Sequence, residues 1–283
     1  MSLKKNIFSF LAKITYSITP RLYLTLSYIH NRGKLPNFKN PKDLSEIVFS
    51  KLISGEINDI YEYVDKVKVR DYITEWGLGE YLPKIYGIWD IDKFDDIDFS
   101  KFPNKFALKA NNGCGSHYIC KDKSKMSVAD ARETLTKATT TKTWAVAETH
   151  YAKITPKIYC EEFIDDPVHG LPLDYKFMCC DGEIKCILVC CEREKGTRLV
   201  TYNTKWERLE YIRNYERFDG EVDKPLELEK MIEIASTIAK KFEYIRVDLY
   251  NIGHKIYIGE LTFTPEGGIM KYFTNEAIKK LGR

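Results

Sequence analysis

The first 80 residues carry apolar and polar positions at helical spacing, so residues 1–60 are predicted to be largely helical. In NPKDLSEIVFSKL, either Asn40 or Asp43 stands where an N-cap precedes an amphipathic run. A second helix is predicted over YEYVDKVKVRDYITEW, residues 61–76, and Gly77 and Gly79 are expected to end it.

Strand patterns dominate from residue 105 onward, after a short strand in EYLPKIYGIWD. FALKA and HYIC flank a glycine-containing loop, and KIYCEEFI, DYKFMCC and GEIKCILVCCE follow, with Asp181-Gly182 as a two-residue hairpin signal. Two helices are predicted among these strands, one over SVADARETLTKATT with Ser127 as its cap and one over LELEKMIEIASTIAKKF.

The segment YIRVDLYNIGHKIYIGELTF is the most informative. Alternation places Arg246 and Asp248 on one strand face, and Glu260 lies in an apolar run where an unpaired charge would be costly. A two- or four-residue loop puts Glu260 on the sheet face opposite to that of Asp248, whereas a three-residue loop Asn251–Gly253 or a five-residue loop puts both acids on one face. We expect an odd loop or a bulge, because two carboxylates and an arginine on one face suit Mg²⁺ and phosphate. A surface ion pair between Arg246 and Asp248 is the alternative, and it leaves Glu260 unexplained.

Composition narrows the class of protein. The chain has 283 residues, 30% of them charged, and a net charge of +3, which indicates a globular protein and gives no sign of a nucleic-acid partner. No apolar run reaches the roughly 18 residues that span a bilayer. MSLKKNIFSFLAKITYSITPRLYLTLSYIH is expected to be a helix, with peripheral membrane contact through its Phe, Leu and Tyr face as an alternative.

Eight cysteines raise the question of a metal or disulfide framework. No Cys-x-x-Cys pair exists, and most lie in strand-like runs such as KFMCCDGEIKCILVCCE, where a free cysteine acts as a small buried hydrophobe. We expect reduced thiols in a cytoplasmic protein and no zinc. The Asp-x-Asp spacing in DIDKFDDIDFSKFPN is expected to belong to a solvated loop in which Ile91 and Phe94 pack.

Three further segments carry groups that could contact phosphate or nucleotide. In LKANNGCGSHYIC, Lys109 ends a strand before a glycine-rich loop that could hold an anion, although a plain glycine-rich hairpin fits as well. In KIYCEEFIDD, Glu161 and Glu162 end a strand, as they would in either an adenosine site or a solvated acidic turn. Lys176 lies within a strand, where a lysine usually extends outward to solvent.

These segments, in this order, resemble the ATP-grasp superfamily and more closely its TupA-like branch from bacterial cell-surface polysaccharide gene clusters. The resemblance covers about residues 35–270 and rests on NPKDLSE, DKVKVRDYI, FALKANNGCGSHYICKDKSK, AETHYAKITPKIYCEEFI, DYKFMCCDGEIK, RVDLYN and GELTFTPEGG. It implies an α+β ATP-grasp fold, in which two α+β subdomains clasp ATP. The implied divisions are a helical region over 1–60, a preceding segment over 61–104, a small lid subdomain over 105–160 and a C-terminal subdomain with the metal-binding hairpin over 161–283.

The resemblance also implies ATP and one or two Mg²⁺ ions as cofactors. Arg246 would hold the transferring phosphate with help from Lys176, and Asp248 and Glu260 would bind Mg²⁺. Many superfamily members carry Asn two residues after this Glu, where the present chain has Thr262. The residues implied to hold the nucleotide are Lys66, Lys109, Gly113, Cys114, Gly115, Ser116, Glu161, Glu162, Phe163 and Asp165, with Asp166 as the alternative near the ribose.

The reaction that the resemblance implies is activation of a carboxylate as an acyl phosphate, followed by attack of an amine. Our hypothesis is a ligase that joins an amino acid or amine to a uronic-acid-type sugar or glycan in capsule or surface-polysaccharide biosynthesis. It would work in the cytoplasm, with association to the membrane-bound biosynthetic machinery as a further expectation. The alternatives are a glycosyltransferase-like enzyme, whose nucleotide-sugar site would fall in the acidic loop at 90–96, and a sugar kinase that shares the ATP site.

Overall fold

Two antiparallel sheets carry the strands of the computed structural model, which describes residues 19–112, 117–140, 148–168, 170–193 and 196–283. The first sheet has the order β1-β4-β2-β3, with β1 Ile85–Asp90, β2 Phe106–Ala110, β3 His117–Cys120 and β4 Lys157–Glu162. The second has the order β10-β9-β5-β6-β7-β8, with β5 Asp174–Cys180, β6 Glu183–Cys191, β7 Arg198–Tyr202, β8 Arg208–Leu209, β9 Tyr244–Ile252 and β10 Lys255–Thr262.

The α-helices of these described residues are α1 Pro20–Arg32, α2 Leu44–Ser54, α3 Tyr61–Val64, α4 Val69–Glu75, α5 Val128–Thr140, α6 Leu228–Ala239 and α7 Asn275–Lys280. Helix α5 packs on the first sheet and α6 on the second. Each sheet has its own apolar core, so the prediction of an α+β architecture is confirmed. The first sheet takes β1 from the segment that we expected to precede the lid subdomain, while the other predicted divisions stay predictions.

Helix α2 begins at a reciprocal cap. The Asp43 carboxylate accepts the Glu46 backbone N–H at 2.9 Å, and the Glu46 carboxylate accepts the Asp43 N–H at 3.4 Å. The helix ends at Gly55, whose φ of +84° lies in the left-handed region that glycine adopts readily. Of the two predicted caps, Asp43 is therefore the residue that the fold uses.

The single helix predicted over residues 61–76 is wrong. The chain forms α3 and α4 with a break at Asp65, whose Oδ1 accepts the backbone N–H groups of Val67 at 2.9 Å and Lys68 at 3.2 Å. Its second oxygen accepts the side-chain amide of Asn111 at 3.0 Å, a contact with the first sheet that helical periodicity cannot reveal. A tertiary hydrogen bond thus overrides a favourable local pattern.

The predicted burial of the cysteines and the predicted packing of Ile91 and Phe94 are confirmed within the described ranges. The seven cysteines there are buried and unpaired, whereas Cys114 lies outside those ranges. Phe94 is buried beneath the first sheet and Ile91 packs on the same core. The described residues contain no group of three potential metal ligands, and none of their helices has the length and apolarity to cross a bilayer.

Candidate active site

The β9–β10 hairpin brings the two predicted metal ligands directly opposite each other. Ile252 pairs with Lys255, so the turn has two residues and the predicted three-residue loop is wrong. The register then shifts by one residue between Ile258 and Glu260, and Glu260 pairs with Asp248. Because this bulge adds one residue to β10, the two carboxylates share a face, as the bulge alternative predicted.

Glycine at position 259 allows the bulge to form against its neighbour strand. A Cβ atom there would lie 2.6 Å from Cε2 of Tyr250 and 3.3 Å from the backbone oxygen of Asp248. A larger residue would require the Tyr250 ring, or β10 itself, to move. The contact with this ring therefore explains why a glycine precedes Glu260.

Arg246 and Asp248 form the centre of the site. Arg246 Nε donates to Asp248 Oδ1 and its Nη2 donates to Oδ2, both at 2.6 Å, in a bidentate pair. Nη2 also donates to the Thr262 hydroxyl at 2.9 Å, since Thr262 is the cross-strand partner of Arg246. The alternative of a weak surface ion pair is wrong, because the Asp248 side chain is 3% exposed and that of Arg246 12%. Thr262, for which sequence analysis found no role, fixes the guanidinium.

Lys176 adds a residue from a third strand to the row that Arg246, Asp248 and Glu260 form on one face of the sheet. It pairs with Asp248 across β5 and β9, and its Nζ lies 2.5 Å from Asp248 Oδ2 and 2.7 Å from Asp174 Oδ2. The outward, solvated lysine of the sequence alternative is thus wrong. Burial lowers the pKa of Lys176, but the two carboxylates more than offset this effect and leave it above the usual value. Lys176 is a charged group that holds Asp248 in place.

Lys66 reaches the site from the break between α3 and α4. Its Nζ lies 2.9 Å from Glu260 Oε1, and Arg246 Nη2 lies 3.7 Å from Oε2 of the same carboxylate. Burial acts to raise the pKa of Glu260, yet Lys66 and Arg246 together lower it to about 2. Glu260 is therefore ionised at neutral pH, which answers the question raised by its apolar strand.

The first sheet supplies the opposite wall. Lys109 on β2 forms an ion pair with Glu161 on β4, and both face an open cleft of about 480 Å³. Glu162 and Phe163 line the same cleft, as do Arg193 and Tyr250 from the second sheet side. The structure thus brings together four of the residues predicted to hold the nucleotide.

The other predicted nucleotide residues are placed differently. Asp165 forms an exposed ion pair with Lys105 and does not line the cleft. Asp166 stabilises a turn instead, since its carboxylate accepts the Val168 N–H at 2.9 Å. The loop residues Gly113, Cys114, Gly115 and Ser116 lie outside the described residues.

Sequence reasoning missed Asp174, Arg193 and Tyr250. Asp174 is 6% exposed, and its Oδ1 has no hydrogen-bond partner within the described part of the chain. Its spacing of two from Lys176 on a strand would have indicated a shared face. Arg193 and Tyr250 carry no comparable signal, because the cleft forms between segments distant in sequence.

The residues present fit a Mg²⁺ ion, which prefers carboxylate oxygens. Glu260 is more accessible to such an ion than Asp248, because its side chain is 32% exposed and its Oε2 lies 3.7 Å from Arg246 Nη2. Both carboxylate oxygens of Asp248 already accept hydrogen bonds, from Arg246 and Lys176. As a metal ligand, Asp248 would bind the ion through oxygens that also accept these hydrogen bonds.

No curated protein matches the sequence significantly. Among solved structures, D-alanine–D-alanine ligase from Helicobacter pylori is 15% identical, with a TM-score of 0.43, over 77% of this chain and 60% of its own length. D-cycloserine synthetase is 12% identical, with a TM-score of 0.43, over 84% of this chain and 76% of its own. L-amino acid ligase from Bacillus licheniformis is 13% identical, with a TM-score of 0.40, over 83% of this chain and 45% of its own length.

The chain thus spans about 60% of the length of the first of these ligases. The family comparison reaches further, since the model described as TupA-like ATPgrasp matches residues 46–283. That range contains both sheets, the cleft and every residue of the Arg246–Asp248–Glu260 row. The chain belongs to the TupA-like ATP-grasp family.

Proposed function

We propose that the protein is an ATP-dependent carboxylate–amine ligase that works through an acyl phosphate. The observation that carries the proposal is the row of Arg246, Asp248 and Glu260 on one sheet face, beside a cleft that bears Lys109. Such a row supplies fixed charge for phosphoryl transfer without a protein nucleophile. Membership of the ATP-grasp family supports the same reaction class.

In the proposed reaction, a carboxylate oxygen of one substrate attacks the γ-phosphorus of ATP, and the bond to the ADP oxygen breaks. The amine then attacks the acyl carbon, phosphate leaves and the nitrogen loses a proton, so that an amide, ADP and phosphate result. Arg246 would hold the transferring group, because Asp248 and Thr262 fix its guanidinium from two sides. Lys109 would contact the phosphates nearer the base.

Bound Mg²⁺ would supply charge neutralisation for the triphosphate. Glu260 and Asp248 are the residues that would hold it. Lys176 acts against the rise in pKa that burial gives Asp248 and orients its carboxylate, so we assign it support of the metal ligand, with the predicted direct assistance at phosphate as the alternative. When Mg²⁺ and the nucleotide are both bound, Lys66 would turn from Glu260 toward the nucleotide phosphates.

The second substrate is proposed to bind beyond Arg246, on the side away from the nucleotide cleft. Tyr244 shares the face of Arg246 on β9 and, with Phe263, lines a cavity of about 270 Å³. The cavity is bordered by α2 and the Glu56–Ile60 turn.

A tryptophan at Ile60, which lines this cavity, tests that location. The Ile60→Trp variant should raise the KM of the second substrate and leave the affinity for ATP unchanged. Val168→Trp, at an 80% exposed position, is the control for adding an indole elsewhere. An unchanged KM in Ile60→Trp would place the substrate outside this cavity.

The finer proposal concerns the substrates. We propose a uronic-acid-type sugar or glycan as the carboxylate and an amino acid or amine as the nucleophile, in surface-polysaccharide biosynthesis, as the resemblance to the TupA-like branch implies. Cytoplasmic location with peripheral membrane contact is proposed with it. Leu22 and Leu26, spaced by one helical turn on α1 and 41% and 45% exposed, support such contact.

Oxygen labelling tests the proposed chemistry. Candidate uronic acids carrying ¹⁸O in the carboxylate are incubated with ATP, Mg²⁺ and candidate amines, and ADP, phosphate and amide are measured. The proposal expects one ¹⁸O atom in each released phosphate, because the acyl phosphate passes a carboxylate oxygen to phosphorus. Phosphate that stays on the product would identify a kinase, and absence of ATP turnover across the panel would refute the ligase.

A further inference from the structure

Asn111, directly after β2, lies fully buried where three segments meet. Its side-chain amide donates to Asp65 Oδ2 and to the Thr155 carbonyl, both at 3.0 Å, and its Oδ1 accepts the Lys157 N–H at 2.7 Å. Its backbone N–H donates to the Lys157 carbonyl at 3.0 Å, and its own carbonyl accepts the Lys66 N–H at 3.2 Å. All its polar groups are engaged, and the bonds join two other pieces of chain, residues 65–66 and 155–157, to β2.

The bonds to Asp65 and Lys66 fix the break between α3 and α4. Asp65 Oδ1 accepts the Val67 and Lys68 N–H groups in the turn before α4, which leaves Oδ2 for Asn111. The Lys66 backbone is anchored to the Asn111 carbonyl, and its side chain reaches Glu260 from this fixed point. If the break were to close, the helical pattern predicted from sequence would turn Lys66 to another face.

We propose that Asn111 is a positioning residue, which holds Lys66 on Glu260 and so ties the strand of Lys109 to the metal-binding row of the second sheet. The significance of this contact for ATP rests on the function proposed above. The positioning itself is a property of the folded chain. The two claims are therefore tested by separate measurements.

Amine acylation measures the position of Lys66 without reference to ATP. The Lys66 side chain is 17% exposed and that of Lys176 is 15%, so the two ion-paired lysines are matched in burial but lie in different parts of the site. In Asn111→Ala we expect the acylation rate of Lys66, read by mass spectrometry, to rise severalfold while that of Lys176 stays constant. Unchanged Lys66 reactivity, or an equal rise at both lysines from general loosening, would overturn the proposal.

Asp65→Asn is the second variant, in case Asn111→Ala fails to fold. It keeps one carbonyl oxygen for the Val67 and Lys68 N–H groups but presents an amide N–H to the Asn111 amide, so their hydrogen bond is lost. The same selective rise at Lys66 is expected. A folded Asp65→Asn protein with the wild-type acylation pattern would likewise count against the proposal.

A double-mutant cycle tests whether Asn111 acts on ATP through Lys66. The KM for MgATP is measured for wild type, Asn111→Ala, Lys66→Met and the double variant. Each single variant is expected to raise KM by about tenfold, as for one lost phosphate contact, and the double variant no further. Fully additive effects would refute action through Lys66. If wild-type protein binds no ATP while Lys66 acylation responds to Asn111→Ala, the proposed function fails and the positioning role stands.

Discussion

Asp248 and Glu260 face each other across β9 and β10 because Gly259 forms a one-residue bulge immediately before the glutamate. Without the bulge, the two-residue turn would pair Asp248 with Gly259 and send Glu260 to the opposite face. The electrostatic character of the site therefore depends on a backbone irregularity as much as on the identity of its acids.

Gly259→Ala should reduce both stability and turnover. The added Cβ would meet Tyr250 at 2.6 Å, so the Tyr250 ring or β10 must shift, at a cost of about 1–3 kcal/mol in the free energy of unfolding. Gly253→Ala is the matched control, because φ of +57° costs about 1–2 kcal/mol there while no atom lies within 4 Å. Urea unfolding and ATP turnover are measured for both. Full turnover in a folded Gly259→Ala protein would contradict the importance of the bulge.

Thr262→Val should lower turnover about tenfold while the KM for ATP stays constant, since Arg246 loses one of its fixed acceptors. Thr201→Val is the control, because Thr201 also lies in the second sheet and donates one hydrogen bond, to the Leu209 carbonyl. Steady-state kinetics and thermal unfolding separate the two variants. Equal turnover in both would remove Thr262 from the site.

Glu260→Gln is expected to abolish turnover, by at least about 10²-fold, with little loss of folding. The substitution keeps the shape of the side chain but removes the charge that Lys66 and Arg246 face. Glu62→Gln breaks an exposed ion pair with Lys68 and serves as the control for loss of one acid. A fully active Glu260→Gln enzyme would exclude Glu260 as a metal ligand.

Lys109→Ala should weaken ATP binding about 10- to 100-fold, which corresponds to the loss of one charge-assisted contact. Calorimetric titration with a non-hydrolysable ATP analogue measures the change. Lys105→Ala removes a lysine of the same strand region whose partner is the exposed Asp165, so its affinity should equal that of wild type.

The Lys109→Ala/Glu161→Gln double variant separates binding from stability. Glu161 loses its cationic partner in the single variant, and the glutamine relieves the unpaired charge. Stability should recover in the double variant while ATP affinity stays low. Recovered affinity would mean that Lys109 acts only through Glu161.

Glu148 makes stability depend on pH. Burial raises the pKa of Glu148 to about 7, against which the Thr264 hydroxyl acts by donating a hydrogen bond. Because the folded-state pKa lies above the ordinary value of 4.5, the contribution to stability is full below pH 4.5 and is lost as the pH rises through 7. The loss amounts to about 3 kcal/mol.

Urea unfolding between pH 4.5 and 8.5 tests this dependence. Glu148→Gln should flatten the decline, whereas Glu183→Gln, at a 73% exposed side chain, should keep the wild-type slope. An identical slope in wild type and Glu148→Gln would show that Glu148 titrates normally in the folded protein.

Local signals in the sequence predicted those features that neighbouring residues determine. The Asp181-Gly182 turn has φ values of +52° and +77° and joins β5 to β6 as the dipeptide indicates. Asp43 likewise caps α2 through a residue three positions on. In each case the partners lie within a few residues, so the pattern contains the necessary information.

Features set by distant contacts were predicted wrongly or left open. The break at Asp65 depends on Asn111, 46 residues away, and the inward course of Lys176 depends on Asp248, 72 residues away. Helical or strand periodicity registers neither contact. The choice between an odd loop and a bulge was open for the same reason, because it is decided by how closely Gly259 can approach Tyr250.

The bulge also constrains the number of residues that can separate the two acids. Eleven residues stand between Asp248 and Glu260, and the pairing would be kept if the extra residue moved from the bulge into a three-residue turn. A lone insertion or deletion in residues 249–259 that left both the two-residue turn and the bulge in place would instead give two well-formed strands with the carboxylate on the wrong side. Such a chain could fold with all its side chains intact, and yet its two carboxylates would no longer lie on the same face of the sheet.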